Sequence, residues 1–403
     1  MNIWVLNHYA ITPDMSGGTR HYDFGKELVK REHNVTIFTS SFHYNKYKEM
    51  KLAENEKWKV EKVDGVNFVW LKTFPYQKND WRRVLNMFSF MWGVYWLGRK
   101  IRKQRKDIEK PDVIIGSTVH LLTVLSAYWL SKYYKAKFIM EIRDLWPQSL
   151  IDIGVIREKS LIAKALRCLE KFLYKRAKEI IIFSLPAKDY LSLFKIEQSK
   201  IHFIPQGVDV SRYALSLYNE NRGKGFRIIY TGALGVINAL EPVLKAAKII
   251  QEKGLLDIKF IFVGAGVEKA SLIEQAKILV LDNIEFRPPV PKKEIPAILN
   301  QADVLLLSEN KIFYGGSNKL MDYMASSKPI IFSAPAIHNN VKKANCGISV
   351  LPGDPKSISD AVIKFYQMPS QERNEIGRRG REYVEKFHNI PVLVDKLEVL
   401  IQK

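Results

Sequence analysis

Short apolar runs alternate with helix-period segments along most of the chain, and this alternation predicts its elements. Asn2–Leu6, Val35–Thr39, Val66–Leu71, Asp112–Gly116, Lys137–Ile142 and Ile180–Phe183 are four to six residues long and mostly apolar. Runs of that length and composition suit strands covered on both faces. The segments between them can form helices, such as Gly18–Arg31, with Tyr22, Leu28 and Val29 on its apolar side. A second series follows at Arg227–Tyr230, Lys259–Val263, Val304–Leu307 and Pro329–Phe332. Strand, helix, strand at this spacing predicts an α/β protein of two Rossmann-like, doubly wound parallel sheets.

The stretch Pro205–Gly223 is polar and holds one Pro, two Gly and two Asn, which suits a linker. Residues 1–205 are therefore expected to form one domain and residues 206–385 a second. The helical residues 386–403 are expected to return to the first domain. A chain of 403 residues is also longer than one ordinary core accommodates. Ligands of open parallel sheets bind beyond the carboxyl ends of the strands, so two facing sheets predict one interdomain cleft.

Charge changes this picture more than composition does. Lys and Arg total 63 against 42 Asp and Glu, a net charge of +21. Such a field attracts nucleic acid, an anionic membrane or phosphorylated substrates. The two cysteines, Cys168 and Cys346, lie far apart in sequence and point to neither a disulfide framework nor a zinc cluster. A reducing cytoplasm is the expected compartment. No basic segment followed by a long apolar one opens the sequence, so no secretory signal is expected. The longest greasy run, Leu85–Gly98, is 14 residues and too short to span a bilayer.

That run lies within Trp81–Lys110, which carries nine Lys and Arg against two acidic residues. Aromatics followed by a dense basic end read as a helix lying in an anionic membrane interface. A core helix followed by a solvated basic turn fits the same letters. A basic stripe interleaved with base-stacking aromatics is missing, which argues against a nucleic-acid partner.

Candidate chemistry lies in the loops after the strands. Gly17-Gly18 sits between the first strand and the first helix, where glycines let backbone amides approach an anion. Gly232 and Gly235 occupy the equivalent loop of the second half. Gly264-Ala265-Gly266 is half a dinucleotide fingerprint, with Lys269 where the third glycine would stand. His120, Glu141, Arg143 and Asp144 follow strand ends in the first half. The richest segment is Phe313–Phe332, FYGGSNKLMDYMASSKPIIF. Its glycines and Ser317 precede a helix whose free amides, with Lys319, suit a diphosphate. Asp322 stands one turn beyond Asn318, where its carboxylate suits a ribose diol.

The segment NKLMDYMASSKP resembles the donor motif of the retaining GT4-type glycosyltransferases of the GT-B fold. Gly17-Gly18, Arg143-Asp144-Leu145-Trp146-Pro147, Pro205-Gln206-Gly207-Val208-Asp209, Tyr230-Thr231-Gly232 and Val263-Gly264-Ala265-Gly266 follow the same family order. Arg143-Asp144-Leu145-Trp146-Pro147 with the NKLMDYMA run is most similar to the subgroup that builds bacterial surface polysaccharides, O-antigen and capsule. The resemblance implies hexosyl transfer from a UDP-N-acetylamino sugar to a lipid-diphosphate-linked saccharide acceptor, with neither metal nor cofactor. It implies that Gly17, Gly18, Gly232, Arg287, Glu309, Tyr314, Gly316, Ser317, Asn318, Lys319 and Asp322 hold the donor. His120 would lie beside the transferred sugar, with Lys319 and Asp322 also catalytic and Arg143 and Asp144 on the acceptor side.

Departures from the family pattern fall on its charges. Asp322 replaces a Glu, Tyr314 stands at the first acidic position, and Ala233 and Asn238 replace the usual Arg and Lys. Leaving-group charge would then fall to helix amides, Lys319 and Arg287. The implied location is cytoplasmic and peripheral, on the inner face of the plasma membrane. The rival readings are a hydrolysing nucleotide-sugar epimerase of the same fold and a non-catalytic polyanion- or membrane-binding protein.

Overall fold

The structure is a computed structural model that describes residues 1–44, 46–78, 80–213, 225–310, 318–335 and 339–403, with nothing said of the Asn318 side chain. Its first half runs β1 (Asn2–Leu6), α1 (Arg20–Lys30), β2 (Asn34–Ser40), β3 (Phe42–His43), β4 (Lys48–Glu49), β5 (Trp58–Val63), β6 (Val66–Leu71) and α2 (Trp81–Gln104). It continues through β7 (Val113–Ser117), α3 (Leu121–Tyr134), β8 (Lys137–Ile142), α4 (Gln148–Asp152), α5 (Leu161–Arg176), β9 (Glu179–Ile182), α6 (Pro186–Ser192) and β10 (Ile201–Phe203). Eight strands make one sheet in the order β10-β9-β8-β7-β1-β2-β6-β5, parallel except for the β5–β6 pair.

The second half runs β11 (Phe226–Thr231), α7 (Glu241–Glu252), β12 (Ile258–Val263), α8 (Lys269–Ile278), β13 (Ile284–Arg287), α9 (Ile295–Asn300), β14 (Val304–Ser308) and α10 (Asn318–Ala325). Then come β15 (Ile330–Ser333), α11 (Asn340–Ala344), β16 (Gly347–Ser349), α12 (Pro355–Gln367), α13 (Ser370–Phe387) and α14 (Ile390–Gln402). The second sheet is wholly parallel, in the order β13-β12-β11-β14-β15-β16. The two sheets have the doubly wound GT-B architecture.

Each sheet is buried between two helical layers. On one face of the first, Phe90, Val94 and Ile101 of α2 pack with Val124, Ala127 and Leu130 of α3 and Leu173 of α5. On the other face, Phe24 and Leu28 of α1 join Leu393, Val394, Leu397 and Leu400 of α14. Burying an apolar side chain of this size contributes roughly 1.5–3 kcal/mol, which draws the chain terminus back onto the first sheet. Arg31 fixes it further, donating to Asp395, to Glu398 and to the Pro391 carbonyl.

Several elements differ from expectation. The first helix begins at Arg20 rather than Gly18, with Thr19 as its N-cap at a non-helical φ of −100° and ψ of 16°. The greasy run and its basic end form one 24-residue helix, α2. Strands β5, β10, β13 and β16 had no counterpart in the expected series. All four are edge strands, and β5 (WKVEKV) alternates apolar with charged residues. Of the predicted linker, residues 214–223 lie outside the described residues.

Candidate functional site

In a doubly wound sheet the strand order reverses at one point, and a crevice opens beyond the carboxyl ends of the strands there. The reversal falls between β1 and β7 in the first sheet and between β11 and β14 in the second. Residues leaving β11 and β14 therefore meet, and Lys319 of α10 enters between them. Its Nζ donates to the Tyr230 hydroxyl at 3.0 Å and lies 3.7 Å from Glu309 Oε1. It also sits 4.7 Å over the Tyr230 ring. With the Asn238 amide oriented to satisfy its neighbours, the amide oxygen accepts from Lys319 at 2.9 Å. Burial pushes the ammonium down to about 8, partly offset by Glu309.

Gly232 makes this arrangement possible. Its φ is +137°, and a Cβ there would stand 3.3 Å from Lys319 Cε. Gly232→Ala is expected to displace the ammonium and strain the backbone by about 1–3 kcal/mol. Nucleotide affinity measured by calorimetry should fall at least tenfold, and an unchanged affinity would refute the role given to this loop. Gly264 and Gly266 serve packing instead: a Cβ on either would lie 1.8 Å and 2.2 Å from carbonyls of Gly232 and Leu234. Lys269 donates to the Gly264 and Arg287 carbonyls at 3.0 Å each. These contacts account for the half fingerprint without any dinucleotide.

Asp322 points from the same helix toward the first domain. Its Oδ1 accepts from the Tyr213 hydroxyl at 2.7 Å, and Lys292 donates to Oδ2. The backbone amides of Lys292 and Lys293 donate to carbonyls of Met15 and Pro13 at 3.1 and 3.3 Å. Asp322 thus ties α10 to the segment that leads into the Gly17-Gly18 loop. Neither Lys292 nor Tyr213 was foreseen, since nothing local in sequence marks a partner 30 or 109 residues away.

Arg287 stands apart from the Lys319 cluster in this structure. Its guanidinium goes to Glu285 at 2.7 Å and Gln301 at 3.0 Å, not to the Lys319 cluster. Residues two apart on a strand share a face, so Glu285 captures it first. Tyr314, Gly316 and Ser317 lie outside the described residues, as does the Asn318 side chain.

His120 exposes no surface in this structure. It caps α3, with its Nδ1 accepting from the Thr123 amide at 3.3 Å, and its Nε2 shares a proton with His8 Nδ1 at 2.7 Å. Burial and the nearby Arg83 charge push it down to about 3, so it is neutral. The strand-end histidine thus caps the next helix. Gly17 is exposed and Gly18 half-buried ahead of α1, which has no side-chain cap on its amides. Arg143 and Asp144 are half-buried in the loop after β8, their amides bound to Thr118 Oγ1 at 2.8 and 3.2 Å.

A buried cluster beneath the first crevice joins Glu141, already a candidate, to Arg20, His21 and Ser117, which were missed. Arg20 donates to Glu141 at 3.0 Å and to the Pro205 and Ile204 carbonyls at 2.6 and 3.0 Å. Its guanidinium lies 4.2 Å from the Phe24 ring and 4.1 Å from the Phe183 ring. His21 and Ser117 bond the other Glu141 oxygen at 2.8 and 2.6 Å. Burial would raise the Glu141 carboxyl, but Arg20 and His21 hold it well below the usual range.

The outer faces of α2, α3 and α5 form one apolar, cationic surface. Trp81, Val84, Leu85, Phe88, Trp92 and Trp96 are exposed along α2. Trp92 meets Trp129 of α3 at 5.4 Å, and Tyr128 of α3 meets Phe172 of α5 at 5.2 Å. Six Lys and Arg lie on α2, one on α3 and five on α5, against the single carboxylate of Glu170, which is buried. Among the described residues no helix is long and apolar enough to cross a membrane.

Two switch-point crevices, with a buried lysine and two glycine loops at the second, define a glycosyltransferase of the GT-B fold. Residues 16–212 match the family model described as Glycosyltransferase Family 4, and residues 225–368 match Glycosyl transferases group 1. The chain belongs to the family 4 glycosyltransferases. It is 24% identical to WcaI of Escherichia coli K12, named as a colanic acid biosynthesis glycosyl transferase, over 74% of this chain and 75% of that one. It is 20% identical to WbjE of Pseudomonas aeruginosa, named a glycosyltransferase, over 72% and 74%. Among solved structures it resembles a sucrose-phosphate synthase from Thermosynechococcus elongatus with a TM-score of 0.73, at 14% identity over 100% and 98% of the chains. Anabaena HepE in complex with UDP and glucose gives 0.70, at 12% identity over 100% and 99%.

Proposed function

We propose that the protein is a retaining, metal-independent transferase. It moves an N-acetylamino sugar from a UDP donor to a lipid-diphosphate-linked saccharide at the inner face of the plasma membrane. The observation that carries this reading is the Lys319 ammonium, held between Tyr230, Asn238 and Glu309 beside the Gly232 loop. A buried cation at a switch point suits a departing diphosphate, whose charge grows as the glycosidic bond breaks. It also stands beside Ala233 and Asn238, where the family's usual Arg and Lys are missing. The UDP complexes of a protein of the same fold support the choice of donor.

In this reaction the acceptor hydroxyl oxygen attacks the anomeric carbon from the face that UDP leaves. The bond from that carbon to the phosphate oxygen breaks, and the leaving phosphate takes the hydroxyl proton. Asp322 binds the ribose diol, exchanging its bond to Lys292 for one to a sugar hydroxyl. His120 fixes the start of α3 from within the core.

Thermal unfolding with a panel of nucleotide sugars tests the donor. UDP-N-acetylhexosamines are expected to raise the melting temperature, and Asp322→Ala to abolish that shift. A shift with GDP-sugars alone would overturn the donor, and no shift with any nucleotide would overturn the transferase reading.

The membrane reading rests on the three-helix face. Aromatics flanked by cations insert at the headgroup level, and each Lys or Arg near an anionic surface adds about 1 kcal/mol. The full protein should sediment with vesicles containing phosphatidylglycerol and release as salt rises. Trp92→Ser with Trp96→Ser should cut that binding at least tenfold. Equal binding to neutral vesicles, or to duplex DNA, would contradict it.

A further inference from the structure

The chain leaves β13 through Arg287-Pro288-Pro289-Val290-Pro291, and each of the three prolines fixes its own φ. A segment stiffened in this way delivers Lys292, which opens a 3-10 turn ahead of α9, to one place. The first domain holds the backbone there, because the Lys292 and Lys293 amides donate to the Met15 and Pro13 carbonyls at 3.1 and 3.3 Å. Met15 stands two residues before Gly17. The second domain holds the side chain, whose ammonium donates to Asp322 Oδ2 on α10. Lys292 thus joins the segment leading into the Gly17-Gly18 loop to the helix that carries Lys319.

An ammonium has three N–H groups, and among the described residues this one donates to Asp322 alone. The other Asp322 oxygen is taken by the Tyr213 hydroxyl at 2.7 Å. A second carboxylate that the Lys292 charge reaches, Asp23, is already bonded by Arg212 and by the Thr19 hydroxyl at 2.7 Å. The Lys292 and Asp322 side chains are 14% and 11% exposed. Opening their pair without a substitute would leave a largely buried charge unpaired, which is costly. A ribose diol that takes Asp322 opens the pair, so the same ligand has to bring an anion for Lys292. A nucleotide does, because its inner phosphate is joined to the ribose through the 5′ oxygen.

We propose that Lys292 is a donor-binding residue whose ammonium passes from Asp322 to the inner phosphate of the nucleotide when the ribose takes Asp322. The inference rests on the transferase reading above and supplies the second cation that Ala233 and Asn238 leave out of the glycine loop. Lys319 and Asp322 are three apart on α10, with Cβ atoms about 5–6 Å from each other. Lys319 beside Gly232 then serves the outer phosphate, and Lys292, released at Asp322, serves the inner one. The exchange keeps every charge paired and makes ribose and phosphate recognition depend on each other. A nucleoside opens the pair and returns no anion, so the site discriminates against it.

Calorimetry on the full chain with UDP and UMP, and with uridine read by displacement of UDP, tests the exchange. The wild type is expected to bind UMP at least tenfold more tightly than uridine. Lys292→Met should weaken UMP and UDP at least tenfold. Uridine should bind this variant as tightly as the wild type or more so, because Asp322 is already free. Lys292→Arg should keep most of the preference for UMP, and Lys292→Gln gives the same comparison should Lys292→Met fail to fold. An unchanged ratio of UMP to uridine affinity would show that Lys292 only holds Asp322, and would sink the exchange while the transferase reading stood. Tighter UDP binding by Lys292→Met would make Lys292 a block on Asp322 and overturn it equally. No binding of any nucleotide by the wild type would overturn the transferase reading and this inference with it.

Discussion

Lys319→Met should lower kcat/KM for the nucleotide donor by about a hundred- to a thousandfold, comparable to removing one preorganised donor to a developing anion. The ammonium is buried against Tyr230, Asn238 and Glu309, so water cannot replace it. Its pH dependence provides a second readout. Burial lowers this lysine to about 8, whereas a free lysine titrates at about 10.4. Below pH 8 the group is charged and serves the diphosphate; above it the charge is lost, and donor affinity should fall with rising pH. The stability term runs the other way. The cost of holding the ammonium in the fold is present below pH 8 and is relieved as pH rises toward about 10.4. Lys319→Arg should move the alkaline fall in activity upward, and Lys319→Met should remove it. An alkaline limb that persists in Lys319→Met would assign the titration to another group.

Arg20→Ala should destabilise the first domain by about 3–5 kcal/mol, the loss seen when one partner of a buried ion pair is removed. The change strands Glu141 without its main counter-charge and leaves the Pro205 and Ile204 carbonyls without this donor. It also empties the slot between Phe24 and Phe183. Arg20→Lys keeps a charge but not the planar fork, so an intermediate loss is expected. Urea unfolding followed by tryptophan fluorescence measures both variants. A loss under about 1 kcal/mol for Arg20→Ala would show that the cluster is not a brace. Arg20 opens α1, directly after the Gly17-Gly18 loop, so the same variant should weaken donor binding through the loop it positions.

How much of the site was legible depended on whether its partners were local. The central parallel strands were readable because strands buried on both faces leave unbroken runs such as DVIIG and KFIFV. Edge strands were not, because β5 alternates and β10 and β16 are three residues long. Lys319 and Asp322 were readable as a pair, since a helix after a glycine-rich loop is a local pattern. Which way each points was not. Lys319 turns to Tyr230, 89 residues away, and Asp322 to Tyr213 and Lys292. Nor was the pairing of Arg287 with Glu285, on its own face of the strand, anticipated. His120 was readable as a residue after a strand end, but not that its imidazole caps the next helix and bonds His8.

The sequence by itself therefore determined the two-sheet architecture, the glycine loops after the strands, the basic aromatic helix and the family of the chain. These follow from periodicity, turn chemistry and motif spacing, all of which act over a few residues. The tertiary structure alone decided which side chains share the crevice, and that Arg83 and the exposed tryptophans lie on opposite faces of one helix. It also decided that the final helix closes the first domain. Charge pairing and burial act between residues that only folding brings together, so their outcome is written in the packing rather than in any local run of letters.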